Sequence, residues 1–266
     1  MRKLKTEFAT AFLVNLVDDN GNPSWPERYS LQDCERVKRM HTSFVYSREY
    51  MNTPVEEGRL FKAEWIRYRT AKRLSSYPVL LGHWDLSYKT EGDYKAFALL
   101  GFDDEGLIVL DVFCRQCEIS DAILYHFNLV KRVRDEGTGM MVFYDATASQ
   151  EEVFGPLFQQ EAQKQRIFEL PIPDHTTNLD KFLRIEATLT NIFFNKQLSF
   201  AKHLEDTIDC RAAIEQILSF EKGSKAPDDF PDTLEAAVRL ITKYAWSNRD
   251  ESENKPVIGQ RKRKGF

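Results

Sequence analysis

From residue 78 onward, short apolar runs alternate with amphipathic stretches. PVLLGHWDLSY (78–88) reads as a strand, KAFALLGF (95–102) as a second and LIVLDVFC (107–114) as a third. Each is rich in aliphatic and aromatic residues and is bounded by turn formers. The DDEG turn at 103–106 is tight, so the three strands form an antiparallel meander. Ile119, Ile123, Phe127, Val130 and Val133 recur at helical spacing through 119–135, and Gly137 and Gly139 end that helix. MMVFYD (140–145) is a fourth strand, 151–165 a helix, RIFELPI (166–172) a fifth strand and NLDKFLRIEATLTNIF (178–193) a helix. QLSFAKH (197–203) is short and extended, and helices at about 207–221 and 230–246 follow. Strands that alternate with helices imply right-handed parallel crossovers. The expected fold is α/β, a mixed five-stranded sheet with helices on both faces. Trp84 and Phe97 are expected in its core.

Residues 1–77 follow another pattern. DDNGNP (18–23) is a turn, Ser30 with Asp33 caps a helix, and a short helix is expected at 43–51. NTPVEEGRLF (52–61) is extended and EWIRY (64–68) a short strand. The expected organisation is a connector at 1–77, an α/β domain at 78–250 and a basic tail at 251–266.

The chain has 266 residues, 42% hydrophobic and 29% charged, an ordinary globular balance. No apolar run approaches the roughly 20 residues of a membrane helix, so no membrane association is expected. Glu7 breaks the apolar N-terminal run, which argues against a signal peptide. Cys34, Cys114, Cys117 and Cys210 are scattered apart from the single Cys114-Arg-Gln-Cys117 pair, and one such pair is at best half a zinc site. They read as incidental thiols. A net charge of −4 argues against a basic nucleic-acid wrapper, although 67–73 and 261–264 are locally basic.

The acids change the picture. Asp85 and Asp145 each end an apolar strand. If a crossover joins the meander to the fourth strand, the first and fourth strands are parallel neighbours. Their C-terminal ends then lie side by side, where open α/β sheets place their sites. Asp228, Asp229 and Asp232 stand at the start of the last helix. Capping and the helix dipole account for one or two acids there, but not for three in such a short stretch. Asp229 and Asp232 are three apart and share one helix face. Carboxylates converging from two strand ends and a helix start suit two divalent cations, Mg²⁺ or Mn²⁺, in phosphodiester chemistry. His83 faces the same side of its strand as Asp85; a buried, hydrogen-bonded role is expected first and a role in the site second.

Several segments resemble, in order, the nuclease domain of phage terminase large subunits. SWPERYSLQDCERVKRMHTSFVYSREYMNTPVEEGRLFKAEWIRY (24–68) is similar to the connector that follows their motor domain. WDLSYKTEGDYKAFALLGFDDEGLIVLDVF (84–113) is similar to their first three strands, DKFLRIEATLTNIFFNKQLSF (180–200) to a Lys-Phe-x-Arg-Ile segment, and DDFPDTLEAAVRLI (228–241) to a terminal acidic helix. The resemblance implies an RNase H-like fold and a metal-dependent endonuclease that cuts concatemeric viral DNA during packaging. It implies Asp85, Asp145, Asp229 and Asp232 as catalytic metal ligands, without deciding which of the last two binds directly. Asp93 matches a secondary loop acid, Asp228 accompanies the acidic helix, and Lys89 and Arg184 are candidate phosphate contacts. Asp145 stands where the family often has Glu.

Implied partners are double-stranded DNA, a terminase ATPase domain, a small terminase subunit and a portal protein, in the cytoplasm of a bacterial host carrying a phage or prophage. No G-x-x-x-x-G-K-[ST] phosphate loop occurs, so the expectation is a nuclease domain apart from its motor, with residues 1–20 as a remnant of the motor's end. The alternatives are another RNase H-like nuclease, such as a junction resolvase, and an inactive DNA-binding or docking module of a prophage. Resolvases are usually smaller and lack the connector; the presence of all the acids argues against an inactive module.

Overall fold

In the computed structural model, the residues described are 14–18, 20–40, 46–52, 60–87, 94–146, 148–175 and 180–253. Strands β2 (Leu80–Asp85), β3 (Lys95–Asp103) and β4 (Gly106–Arg115) form the antiparallel meander. Gly106 closes its β3–β4 turn at φ +105°, where a Cβ would meet the Gln197 carbonyl oxygen at 2.7 Å. Helix α2 (Ile119–Asp135) then leads to β5 (Met141–Asp145). Its end is a Schellman turn around Gly137, at φ +76°. The N–H of Gly137 donates to Arg134 O and that of Thr138 to Val133 O.

Helix α3 (Ala148–Gln165) leads to β6 (Ile172–Asp174). A helical run follows: α4 (Lys181–Ile185), a π-helical segment (Glu186–Thr190) and α5 (Asn191–Phe194). After it come β7 (Leu198–Ala201), α6 (Ile208–Ser219) and α7 (Asp229–Glu253). Two more elements precede the meander, α1 (Leu31–Met40) and β1 (Tyr68–Arg69). Ser30 and Asp33 cap α1 reciprocally: Asp33 N–H donates to the Ser30 hydroxyl at 3.2 Å, and Ser30 N–H to the Asp33 carboxylate at 3.1 Å.

The sheet order is β1-β7-β4-β3-β2-β5-β6, with β5 parallel to β2, β6 to β5, β7 to β4 and β1 to β7. Among the described residues, seven strands thus replace the expected five. LSFA of β7 is fully buried and pairs with β4, so the short extended segment is a sheet strand. Four residues show too little of a period to distinguish a strand from a connection. The fifth strand lies at 172–174 and not at 166–172. Pro171 and Pro173 explain its place: proline cannot donate to a ladder, so this segment fits only at the sheet edge. Phe61 and Trp65 enter the core, and Tyr68 of β1 pairs with Phe200. Residues 60–77, read in the sequence as connector, therefore pack with the sheet. Residues 251–253 of the expected basic tail instead belong to α7, and the rest of that tail and the start of the expected helix at 43–51 lie outside the described residues; Tyr46–Tyr50 is a π-helical turn.

Trp84 and Phe97 are fully buried, with ring centroids 4.6 Å apart. A Cβ at Gly82 would come within 2.5 Å of the Phe97 ring, so this strand position has room only for glycine. Trp84 faces Tyr125 of α2. The opposite face of β2 and β3 is covered by α7, and that of β4 by α6. His83 and Asp85 point toward α7, because alternate strand residues face opposite sides.

Candidate metal centre

The pairing of β2 with β5 runs in parallel through Trp84↔Tyr144, so the next residues, Asp85 and Asp145, end neighbouring strands side by side. Both share the face of His83 and Phe143, and Phe143 packs on Tyr244 of α7. The first turn of that helix brings in Asp232. One carboxylate oxygen from each of Asp85, Asp145 and Asp232 falls within 4.8 Å of the others. Asp229 opens the helix, is half-buried and belongs to no such group of three among the described residues. Asp228, also half-buried, accepts from Lys181 Nζ at 2.8 Å.

Burial pushes Asp85 well above the ordinary carboxylate range, and the neighbouring charges of Asp145, Asp232 and Asp229 push it further, against a smaller opposing pull from Lys181. Burial also raises Asp145, with Asp232 adding to the shift and His83 opposing it. These acids are crowded on one spot, and each opposes ionisation of the next. A divalent cation relieves both causes at once. The donor set is all carboxylate, which suits a hard ion such as Mg²⁺ or Mn²⁺.

The rim of the cluster is built from charges. Lys181 also reaches Asp232, at 3.2 Å. Burial pulls the Lys181 ammonium down, but Asp232 and Asp228 outweigh it and hold the group above its usual value. Arg184, a candidate phosphate contact, donates to Asp232 at 2.6 Å and to Glu235. Glu235 is fully buried; burial raises its carboxyl while Arg184 and Arg239 draw it back. Arg239 donates to Asp174 at 2.6 Å, and Asp174 pairs in register with Asp145. Behind Asp145 lies His83, completely buried, with Nε2 3.7 Å from Asp145 Oδ1 and 3.6 Å from Asp174 Oδ2. Among the described residues neither ring nitrogen has a hydrogen-bond partner, where a hydrogen-bonded histidine was expected first.

Lys181, Asp174, Glu235 and Arg239 are not singled out by the sequence. Asp174 carries the same signal as Asp85 and Asp145, an acid ending a strand, but the flanking prolines mask the strand. Glu235 lies one turn beyond Asp232 on the same helix face. Lys89 and Asp93 lie outside the described residues. Cys114 and Cys117 are free thiols, both pushed up by burial, and belong to no ligand group among the described residues. No helix among the described residues is long and apolar enough to cross a membrane.

No protein-family model matches the chain, and no curated protein matches it significantly. Solved structures do. A large terminase from a thermophilic bacteriophage superposes with a TM-score of 0.51 at 16% identity, over 81% of this chain and 52% of that one. A second crystal form of the same terminase gives 0.50 at 16%, over 81% and 53%. The human cytomegalovirus terminase nuclease domain gives 0.49 at 13%, over 68% and 94%. The chain spans about half the length of the phage terminase. With its meander, parallel flanking strands and covering helices, the chain has an RNase H-like fold, shared with part of the large terminase.

Proposed function

We propose that the chain is a metal-dependent endodeoxyribonuclease that cuts concatemeric viral DNA during genome packaging. The observation that carries this reading is the convergence of Asp85, Asp145 and Asp232 at the C-terminal ends of two parallel strands and the start of one helix. The fold shared with a large terminase supports it. Asp85, Asp145 and Asp232 would hold the catalytic ions, two of Mg²⁺ or Mn²⁺, with Asp229 near enough to add negative potential. When bound, the ions supply an activated water at neutral pH and charge stabilisation for the leaving 3′ oxygen.

The remaining residues set the stage for that chemistry. Burial and the neighbouring acids favour a proton on Asp85 when no cation is near, so cation and proton compete there. Arg184 fixes the rotamer of Asp232 through a bond on each side, to Asp232 and to Glu235. Lys181 holds Asp232 from the exposed rim and is the cation of the described residues best placed to meet an incoming phosphate. Double-stranded DNA is the substrate in this reading. A terminase ATPase domain, a small terminase subunit and a portal protein are the partners, and the host cytoplasm is the compartment. The connector at 1–77 and the tail at 251–266 would join the domain to that machinery.

Supercoiled plasmid incubated with the protein and Mn²⁺ tests the reading. Nicked and linear forms should accumulate, vanish with EDTA, and be absent with Asp85→Asn. Cleavage that survives Asp85→Asn would overturn the assignment. Resolution of four-way junctions in preference to plasmid cleavage would favour a resolvase.

A further inference from the structure

We propose that His83, Asp145 and Asp174 form a second cation site, which takes a first-row divalent ion such as Mn²⁺ or Zn²⁺ and is joined to the Asp85–Asp145–Asp232 triad through the shared Asp145. The three side chains each offer a donor atom, all within 4.8 Å of one another. They come from consecutive places in the sheet, β2, β5 and β6, and the pairing of Asp145 with Asp174 fixes two of them in register.

The second observation is the histidine itself. His83 is 0% exposed, and among the described residues neither ring nitrogen has a hydrogen-bond partner. Buried polar atoms are nearly always satisfied, so such a group marks a missing partner. Its Nε2 points between two carboxylate oxygens, at 3.6 and 3.7 Å. That is beyond the roughly 2.7–3.2 Å of a hydrogen bond. It is close to the spacing of two ligands on one ion: bonds of about 2.1 Å at a tetrahedral angle put the donors about 3.4 Å apart.

The surroundings suit a ligand set. Arg239 lies near Glu235 and donates at 2.6 Å to Asp174 Oδ2, the same oxygen that faces His83, and so orients that carboxylate. Asp145 and Asp174 are partly exposed, which leaves an approach from the cleft, while His83 forms the closed floor. A mixed imidazole and carboxylate set selects a borderline ion over Mg²⁺ or Ca²⁺, which favour oxygen donors alone. The two triads therefore differ in taste: the oxygen-only triad accepts Mg²⁺, and the histidine-bearing one prefers Mn²⁺ or Zn²⁺.

The proposal stands on this geometry and does not require the nuclease reading. Pulsed EPR of Mn²⁺ bound to the chelator-treated full chain tests it, because a directly bound imidazole gives a nitrogen hyperfine coupling. The coupling should appear in the wild type and in Asp232→Asn, and disappear in His83→Ala. Asp174→Asn should weaken the nitrogen-coupled ion by 10-fold or more, on the order seen when a metal site loses a supporting group. Absence of the coupling in the wild type overturns the site, whatever the fate of the His83→Ala fold. So does a coupling that persists in a His83→Ala variant with native circular dichroism, since the nitrogen then comes from elsewhere. A nitrogen-coupled ion in a protein that cuts no DNA would uphold this site and sink the nuclease assignment; cleavage without the coupling would do the reverse.

Discussion

Asp85 and Asp103 stand at opposite ends of the same antiparallel strand pair, and in the sequence they look alike. Each closes an apolar run, LLGHWD in one case and KAFALLGFD in the other. Their surroundings are opposite. Asp103 receives both terminal nitrogens of Arg69, at 2.9 and 3.0 Å, with Lys72 at 3.1 Å and the Glu105 N–H at 3.0 Å. Burial tends to raise it, but Arg69 and Lys72 win and hold its carboxyl below the usual range. Among the described residues no lysine or arginine forms an ion pair with Asp85; Lys181 and Arg184 are engaged with Asp228, Asp232 and Glu235. The groups crowded against Asp85 are other acids. A strand-end acid answered by cations beside it is part of the scaffold. One answered chiefly by acids is, in the proposed reading, the place for an ion from solution.

The comparison is broken most directly by activity. Asp85→Asn should lower plasmid cleavage by roughly 10³-fold or more, equivalent to about 4 kcal/mol of transition-state stabilisation. Asp103→Asn should keep whatever activity the folded fraction supports. Equal losses in the two variants, normalised to folded protein, would erase the distinction.

Stability should move in opposite directions. Asp103→Ala strands the nearly buried Arg69 guanidinium, and breaking such a pair costs about 3 kcal/mol, or roughly 6–12 °C of Tm in a chain of this size. Asp85→Asn, in the presence of a chelator at neutral pH, should raise Tm by roughly 2–4 °C by removing a repelled charge. Differential scanning calorimetry of both variants reads this. A fall in Tm for Asp85→Asn would mean that the carboxylate has a structural partner after all.

The pH dependence sharpens the same contrast. The Asp85 carboxyl is raised in the folded state, so the native protein binds the extra proton and stability falls as pH climbs above the ordinary carboxylate value. Removing that acid should therefore help at neutral pH and cease to matter at about pH 4, near the unperturbed value. The Asp103 carboxyl is lowered, so its contribution is present at neutral pH and is lost as pH falls below the ordinary value. Tm against pH for wild type, Asp85→Asn and Asp103→Asn should show gaps that close in the acid range. A gap for Asp85→Asn that widens toward acid would reverse the assigned sign.

The smallest effect concerns DNA sequence. The net charge of −4 leaves local basic groups and bound cations to meet phosphates, so binding should be weak, indifferent to sequence and of modest salt slope, since each neutralised phosphate adds about 0.9. Plasmid digests should smear. Discrete fragments that map to one common site in unrelated plasmids would show base recognition by this chain.

The hydrophobic pattern by itself determined the meander, the crossover through α2 and the placing of Asp85 and Asp145 at the ends of parallel neighbours, because long apolar runs and helical periodicity are local signals. It also marked the acidic start of α7. It did not reveal β7, whose four residues carry too little period, nor place β6, where two prolines disguise an edge strand. Tertiary structure alone brought Asp232 into one group with Asp85 and Asp145, since that depends on how α7 packs against β2 and β3. It also decided that Arg184 spends its guanidinium on Asp232 and Glu235, and that His83 lies beside Asp174, 91 positions away by the chain numbering. Charge partners across a fold are chosen by distance in space, and a sequence records only distance along the chain.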